Sequence, residues 1–462
     1  MNGFQIVFLW SDALIWLLLA AGLGLVWLVR RSPPLRAAWA KAAASHSGMG
    51  AATVLLAFVL LGWLDSLHYR PALPDVAGAP GEAGRYAIEV RSVLDALAEP
   101  LRVQTEKTYS APLAIHLFVK ESTELPGASV LRDFPRLRYG GAHLPAEATS
   151  WRGDVLTRAA WGAGGALMLW LALASWLCAR QGGWAKVWRG DTATAWSAVL
   201  LSLGAIFLIL GPMFALAGHY HVFGTDKVGQ DVLYQVLKSV RTALIIGLVT
   251  TLVMLPLAVL LGIVAGYFRG WADDLIQYVY TVLNSIPSVL LIAAAVLMLQ
   301  VLIDGHPQWF ATAAERADLR LLALCFILGL TSWTGLCRLL RGETLKLREL
   351  EYIQAAQAFG VSSRRIISRH ILPNVMHIVI IALVMDFSSL VLAEAVLSYV
   401  GIGVDPSMIS FGTMINNARM ELGREPVVWW SLAAAFGAMF ILVLAANLFA
   451  DAVRDAFDPR AA

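Results

Sequence analysis

The sequence predicts an all-α polytopic membrane protein, and three observations carry that prediction. Of 462 residues, 58% are hydrophobic and only 15% are charged, against roughly 25% charged in soluble chains. The mean hydropathy is +0.68. Several apolar stretches reach the roughly 20 residues that a helix needs to cross bilayer hydrocarbon. Seventeen tryptophans suit anchoring at the membrane–water interface. A net charge of +3 is ordinary for a membrane protein with basic loops and gives no reason to expect a nucleic-acid partner. Membrane lipid is the expected solvent.

Nine spans are expected, at about 6–28, 48–65, 157–179, 195–218, 240–267, 274–303, 320–340, 375–399 and 430–450. The first reads as a retained helix, because Val26 to Arg30 offers no small-residue cleavage site. Cys178, Cys325 and Cys337 lie in or beside apolar segments without metal-site spacing and read as small apolar filler. No disulfide framework, bound metal or cofactor is expected in the chain.

Basic residues in short loops set orientation. Arg30, Arg31, Arg36 and Lys41 follow the first span, and Arg180, Lys186 and Arg189 the third. Arg269 sits between the fifth and sixth, and seven basic residues from Arg338 to Arg369 follow the seventh. All four loops fall on one side, which predicts an external N-terminus and a cytoplasmic C-terminus.

The expected domains are two N-terminal spans at 1–65, an external domain at 66–156, a further span and link at 157–194, and a transport domain at 195–462. The external segment opens on Pro71, Pro74, Gly78, Pro80 and Gly81. Mixed stretches at 86–95 and 114–119 then suggest a small helix-and-strand fold, with His116 packed or structural. A modest core is all that about 90 residues can build.

The segment 341–373 stands out because it is polar, basic and helix-compatible between two apolar spans. Leu345, Leu347, Leu350, Ile353, Ala356 and Phe359 recur as an apolar stripe, which predicts one helix from Arg341 through Phe359. Gly360 suits a left-handed helix end. Ser362 and Ser363 suit the cap of a second helix from Arg364 to Leu372, and Pro373 a break before the eighth span. From the residues alone, two readings stand: an ordinary basic loop, or a helix pair that docks a partner.

Gln354-Ala355-Ala356, then Gly360, then Ile371-Leu372-Pro373, resembles the coupling-loop signature of bacterial ATP-binding cassette importer permeases. The family's Glu-Ala-Ala begins here with Gln354, and Glu351 is nearby but out of register. A second match, Gly224-Thr225-Asp226 followed by Gly229-Gln230-Asp231, resembles the Gly-Thr-Asp and Gly-Arg-Asp segment of dipeptide/oligopeptide/nickel permeases, specifically their second permease subunit. His370 to Asn374, Glu394-Ala395, Leu397 to Gly403, Trp429-Trp430 and Phe449 to Arg460 extend the resemblance over about 200–460. Residues 1–194 lie outside it.

The resemblance implies a type I importer permease fold with extra N-terminal spans and a small external domain, in the bacterial cytoplasmic (inner) membrane. It implies coupling to ATPase subunits through Glu351, Gln354, Ala355, Ala356, Gly360, Arg364, Arg365, His370, Leu372 and Pro373. It also implies a sister permease in a heterodimer, two cassette ATPase subunits that hold ATP and Mg, and a periplasmic or lipoprotein solute-binding protein. The cargo it implies is a peptide or peptide-like solute, with a nickel chelate or another non-peptide solute as the alternative.

Further residues carry open readings. Thr225 and Asp226 suit a turn or the cap of a helix across 228–238, and Asp226 and Asp231 also suit contact with a solute-delivering protein or the passing ligand. Asn284, Ser285 and Pro287 interrupt the sixth span as a packed kink or as a pathway lining. Asp386 and Glu394 are costly charges in apolar spans, which face a cavity, a neighbouring helix or a partner. Asn416 lies in a short element, 410–417, that reads as a gate or a surface loop. His219 and His221 are expected at the membrane interface.

No Gly-x-x-x-x-Gly-Lys-Ser/Thr phosphate loop occurs in the sequence, so energy is expected from a partner or an ion gradient. An ion-coupled secondary transporter predicts inverted repeats, and no convincing repeat is found. An intramembrane enzyme is not expected, for want of an HExxH motif or a Ser/His pair in the spans.

Overall fold

The computed structural model describes residues 4–72, 86–124, 130–145, 151–310 and 312–457. Pro74, Gly78, Pro80 and Gly81, and the tail beyond Phe457, lie outside the described residues. In chain order the elements are β1 (Phe4–Val7), α1 (Trp10–Arg31), α2 (Pro33–Ala44), α3 (His46–Asp65), β2 (His68–Pro71), β3 (Arg91–Ser92), α4 (Val93–Leu97) and α5 (Glu99–Val103). They continue with β4 (Glu121–Glu124), β5 (Val130–Asp133), α6 (Trp151–Arg180), α7 (Trp184–Arg189), α8 (Trp196–Ala217), α9 (Val232–Phe268), α10 (Gly270–Ser285) and α11 (Ser288–Asp304). The last are α12 (Ala313–Ser332), α13 (Thr334–Arg348), α14 (Glu351–Ala358), α15 (Ser363–Ile366), α16 (Leu372–Val400), α17 (Phe411–Arg419) and α18 (Trp430–Phe457).

Among the described residues, eight helical runs are long and apolar enough to cross a membrane, or up to nine if the bent pair α10–α11 is one span. That pair is the sixth span, interrupted where Asn284, Ser285 and Pro287 are expected to interrupt it, and its two halves meet at 88°. The physical cause is Pro287, whose missing N–H and fixed φ stop α10 and start α11 on a new axis. The other spans fall where the hydropathy placed them.

Compactness divides the chain into two units. The first comprises Met1–Asp12, Ala43–Thr242 and Ile409–Ala445; the second comprises Ala13–Ala42, Ala243–Met408 and Ala446–Ala462.

In the first unit, α8 packs against α6 and α3. Small residues permit the α6–α8 approach: a Cβ on Gly211 would lie 2.6 Å from the carbonyl oxygen of Gly162. Trp170 Nε1 donates to Leu200 O across the same pair at 2.8 Å. β1, β2 and β3 form an antiparallel sheet, with Phe4 opposite Pro71 and His68 opposite Ser92. β4 and β5 form a separate hairpin. Leu101, Ile115, Leu216, Tyr220, Val222 and Leu233 make a core that joins the 66–156 region to the start of α9. His116 corrects its expectation. It is exposed, because Ile115 and Leu117 on either side take the buried face of an extended segment.

In the second unit, one core gathers Met254, Ile263, Tyr267, Tyr280, Trp333 and Leu340 with Ile353, Ile366 and Ile371. Another gathers Ile15, Ile245, Val296, Leu321, Leu328 and Leu397. The three cysteines are buried and free of disulfides.

Candidate functional site

Residues 341–359 are not the single helix that their periodicity predicts. α13 ends at Arg348, and α14 begins at Glu351 after Leu350 takes an extended conformation, φ −70° and ψ 137°. The stripe therefore divides. Ile353 is fully buried, whereas Phe359 is 87% exposed. The second expected helix is also corrected. α15 passes through a π-turn at Ile367–Ile371 directly into α16, and Pro373 sits in the first turn of α16 rather than breaking the chain. The π-turn just before it lets the helix take up a residue that has no N–H to donate to the regular ladder.

Three isoleucines root the segment. Ile353, Ile366 and Ile371 are each 0% exposed in the core around Tyr267 and Leu340. Each buried side chain of this size contributes about 1.5–3 kcal/mol. Ala356 and Leu372 pack partly against the same core. Glu351, Gln354, Ala355, Gly360, Arg364, Arg365 and Pro373 are exposed. The Gln354 side-chain nitrogen donates to Glu349 O at 3.2 Å and to Glu349 Oε2 at 3.3 Å. Gly360 adopts φ +72°, the left-handed turn that its type allows at least cost. His370 is half-buried, with its ring 5.8 Å from that of Tyr352. The result is a short exposed helix on a buried footing, with Tyr352 and Phe359 outward.

An ion pair missed in the sequence supports this footing. Arg341 Nε lies 2.6 Å from Asp273 Oδ1 and Arg341 Nη2 lies 2.8 Å from Asp273 Oδ2, a two-pronged clasp between α13 and α10. Arg341 and Asp273 are 68 residues apart, so no local pattern joins them.

The 224–231 motif lies in the first unit and serves as a structural clasp. Gly224 and Gly229 take φ +73° and +76°. The Thr225 hydroxyl accepts from Ser110 N at 2.7 Å and donates to Thr108 O at 2.9 Å. Asp226 accepts from the main-chain N–H groups of Val228 and Gln230, both at 2.9 Å, and closes a turn. Of the two readings for Thr225–Asp226, the turn holds and the helix cap does not: the cap is Asp231, which accepts from Leu233 N at 2.8 Å, and α9 starts at Val232 rather than near 228. Asp226 is held by its own turn, which leaves Asp231 beside the first free helical N–H groups.

His221 corrects its expectation as well. Rather than facing lipid headgroups, it is 2% exposed between two carboxylates. Its Nδ1 lies 2.8 Å from Asp231 Oδ2 and its Nε2 lies 3.4 Å from Glu106 Oε1. Burial opposes a charged imidazole, but the two carboxylates outweigh it and raise the His221 pKa to about 9. Burial likewise works against ionised Glu106. Hydrogen bonds from His221 and from the N–H groups of Tyr139, Arg138 and Gly140 prevail and hold it at about 2.

The pathway candidates lie on different elements. Asn284 and Ser285 are exposed at the α10–α11 break, with Asn284 Oδ1 accepting from Thr334 Oγ1 at 3.1 Å. Pro287 precedes α11 and is exposed. Asp386 is half-buried in α16, and no hydrogen bond to its carboxylate is found among the described residues. Glu394 is 2% exposed and accepts from Ser398 Oγ at 2.6 Å, a bond within one helix. Asn416 is half-buried on α17, in the first unit, where Ser410 caps a regular helix.

Residues 258–462 match the family described as "Binding-protein-dependent transport system inner membrane component". The oligopeptide transport system permease protein OppC of Mycobacterium tuberculosis is 33% identical over 242 residues, 52% of this chain and 77% of that protein. The chain belongs to this family of transport permeases. The glutathione transport system permease protein GsiD of Pectobacterium atrosepticum is 32% identical over 242 residues, 52% of this chain and 73% of that protein. The dipeptide transport system permease protein DppC of Lactococcus lactis is 31% identical over 241 residues, 52% of this chain and 64% of that protein. Among solved structures, a chain of the inward-facing MetNI methionine ABC transporter aligns with 49% of this chain and 96% of its own length, at 17% identity and a TM-score of 0.36, too low to carry an argument.

The permease is thus an inner-membrane transport component of helical, importer-type fold with additional N-terminal helices. Family membership favours the ATP-driven importer over the ion-coupled transporter, and it brings an ATPase and a solute-binding protein into the assembly in general terms.

Proposed function

We propose that this permease imports peptides or peptide-like solutes, and that α14 is its contact with a cassette ATPase. The observation that carries the reading is the exposed helix on a buried footing. Ile353 and Ile366 fix it to the core of the second unit, while Phe359, at 87% exposure, presents an aromatic anchor. Exposed aromatics of this kind dominate the energetics of many interfaces. The ATPase subunits hold ATP and Mg and perform hydrolysis; this chain supplies no catalytic group. Their closure displaces α14, and the core around Tyr267 and Leu340 passes the displacement to α9, α13 and α16.

The peptide cargo is supported by the names of the relatives, which transport oligopeptides, dipeptides and glutathione. A heterodimer with a sister permease, two ATPase subunits and a periplasmic or lipoprotein solute-binding protein complete the proposed assembly. In the proposed orientation nine spans carry their basic loops in the cytoplasm, with the N-terminus outside and the C-terminus in the cytoplasm. Asn284, Ser285, Pro287, Asp386, Glu394 and Asn416 are the proposed pathway or gate positions. Asp386 is the first to test, because its carboxylate lies in an apolar helix with no hydrogen bond found among the described residues.

The test is reconstitution with affinity-purified partners. Phe359→Asp should abolish co-purification of the ATPase and ATP-dependent peptide uptake, while leaving insertion of the permease intact. Undiminished ATPase recovery with Phe359→Asp would reject α14 as the contact.

A further inference from the structure

The first unit carries a half-open cleft of about 490 Å³ that none of the permease roles uses. Its size lies within the roughly 300–1,000 Å³ of small-ligand sites. Three aromatic rings line it, from Tyr109, Phe118 and Phe134, together with three cations, Lys120, Arg132 and Arg424. Among the described lining residues, Glu425 is the single carboxylate against them.

The aromatic wall is anchored. Tyr109 is 3% exposed. The Phe118 ring meets Trp430 edge-on, with centroids 4.8 Å apart. Trp430 Nε1 in turn donates to Thr225 O at 3.0 Å, which ties the wall to the 224–231 clasp. Phe118 N donates to Tyr109 O at 2.9 Å. Two of the cations lie over rings of this wall. Lys120 Nζ lies 5.3 Å from the centre of the Phe134 ring, and the Arg424 guanidinium lies 5.4 Å from that of Tyr109. Glu421 Oε2 lies 2.6 Å from Arg424 Nε, and among the described residues no hydrogen bond to the two terminal nitrogens is found, which leaves them as donors. Lys120, Arg132 and Arg424 are all exposed.

Rings beside cations select a ligand that carries an anion next to an apolar or aromatic body. A phosphate would satisfy the cations but not the rings, and a neutral apolar molecule the rings but not the cations. We propose that this cleft binds the C-terminal end of a short peptide, with the carboxylate on Arg132, Arg424 and Lys120 and the last side chain against Phe118 and Phe134. The cleft would hold peptide on the permease itself, outside the span-borne pathway positions. The choice of a peptide rests on the proposed cargo; the anion-plus-ring chemistry does not.

The test is fluorescence anisotropy on the full-length permease in detergent, with a labelled tripeptide ending in phenylalanine. The free acid should bind saturably. The C-terminal amide and the double variant Arg132→Glu/Lys120→Glu should each bind roughly tenfold more weakly, the loss expected for a charge-assisted hydrogen bond. Phe134→Ser, at a position 42% exposed, should weaken the free acid and leave folding intact. Absence of saturable binding, equal binding of acid and amide, or insensitivity to the charge reversal would overturn the proposal. Competition by an unlabelled peptide acid, but not by inorganic phosphate, would mark the peptide as the ligand; displacement by phosphate alone would reject it. Peptide uptake by the assembled importer is measured in parallel. Failure of uptake with binding intact rejects the cargo, whereas failure of binding with uptake intact rejects only the cleft.

Discussion

The side-chain amide of Gln354 donates to both the main-chain carbonyl and the carboxylate of Glu349. The same carboxylate is paired with Arg269. Position 354 is where the coupling signature carries glutamate, and a glutamate there would set two carboxylates against each other. Gln354→Glu should therefore lower thermal stability by less than about 1 kcal/mol, since Glu349 is largely exposed. Adding Glu349→Gln should restore it. Differential scanning fluorimetry of the single and double variants checks this, and absence of rescue would show that the two side chains are not coupled.

Gly360 sets a second prediction. An added Cβ meets nothing within 4 Å, yet φ is +72°. Gly360→Val therefore costs backbone strain alone, roughly 1–2 kcal/mol. The turn should relax away from its present angle and raise ATP hydrolysed per peptide imported, while membrane insertion stays normal. An unchanged ratio would remove Gly360 from the coupling route.

The cluster of Glu106, His221 and Asp231 predicts a pH profile. His221 is raised from 6.5 to about 9 in the folded chain. Its contribution is fully present below about 6.5 and is lost as pH rises through 9. Glu106 is lowered from 4.5 to about 2, so its contribution is present above 4.5 and is lost as pH falls towards 2. The melting temperature should fall between pH 6.5 and 9, and His221→Gln should flatten that fall. An equally steep fall in the variant would assign it to other groups.

Gly229 makes the tightest contact of the clasp. Its φ is +76° and an added Cβ would collide with the carbonyl of Glu106. Glu106 N also donates to Gly229 O at 2.9 Å. Gly229→Ala should cost more than the roughly 1–2 kcal/mol of left-handed strain alone and expose the 106–110 segment to proteolysis. Gly360→Ala, which has the strain without the collision, is the control. Equal losses for the two would mean that the contact gives way.

Much of the membrane-spanning framework was legible because hydropathy acts locally: nine apolar runs are enough to mark helices without reference to contacts. The short helix and glycine turn at 351–360 were legible for the same reason, as Ile353 and Gly360 lie in one short stretch. Its break at Leu350 was not, because the apolar stripe runs unbroken through a point where the backbone turns. Phe359 looked like a core residue by spacing and is exposed, since the new helix α14 starts its own rotation. The 88° bend at Pro287 had a visible cause and an unreadable magnitude. Asn284 and Pro287 mark where a helix stops, not where the next one points.

By itself the sequence determined the solvent, the order of the helices and the family, since each depends on the kind and spacing of nearby residues. The tertiary structure decided which charges meet. Asp273 clasps Arg341 across 68 residues, and Glu106 reaches His221 across 115. It also decided that the 224–231 motif serves as a clasp for the 104–144 region and that Asp231, not Asp226, caps α9. The physical reason is that a buried ion pair repays its desolvation only at a particular distance and geometry, and those are fixed by the packing of whole helices rather than by any local run of residues.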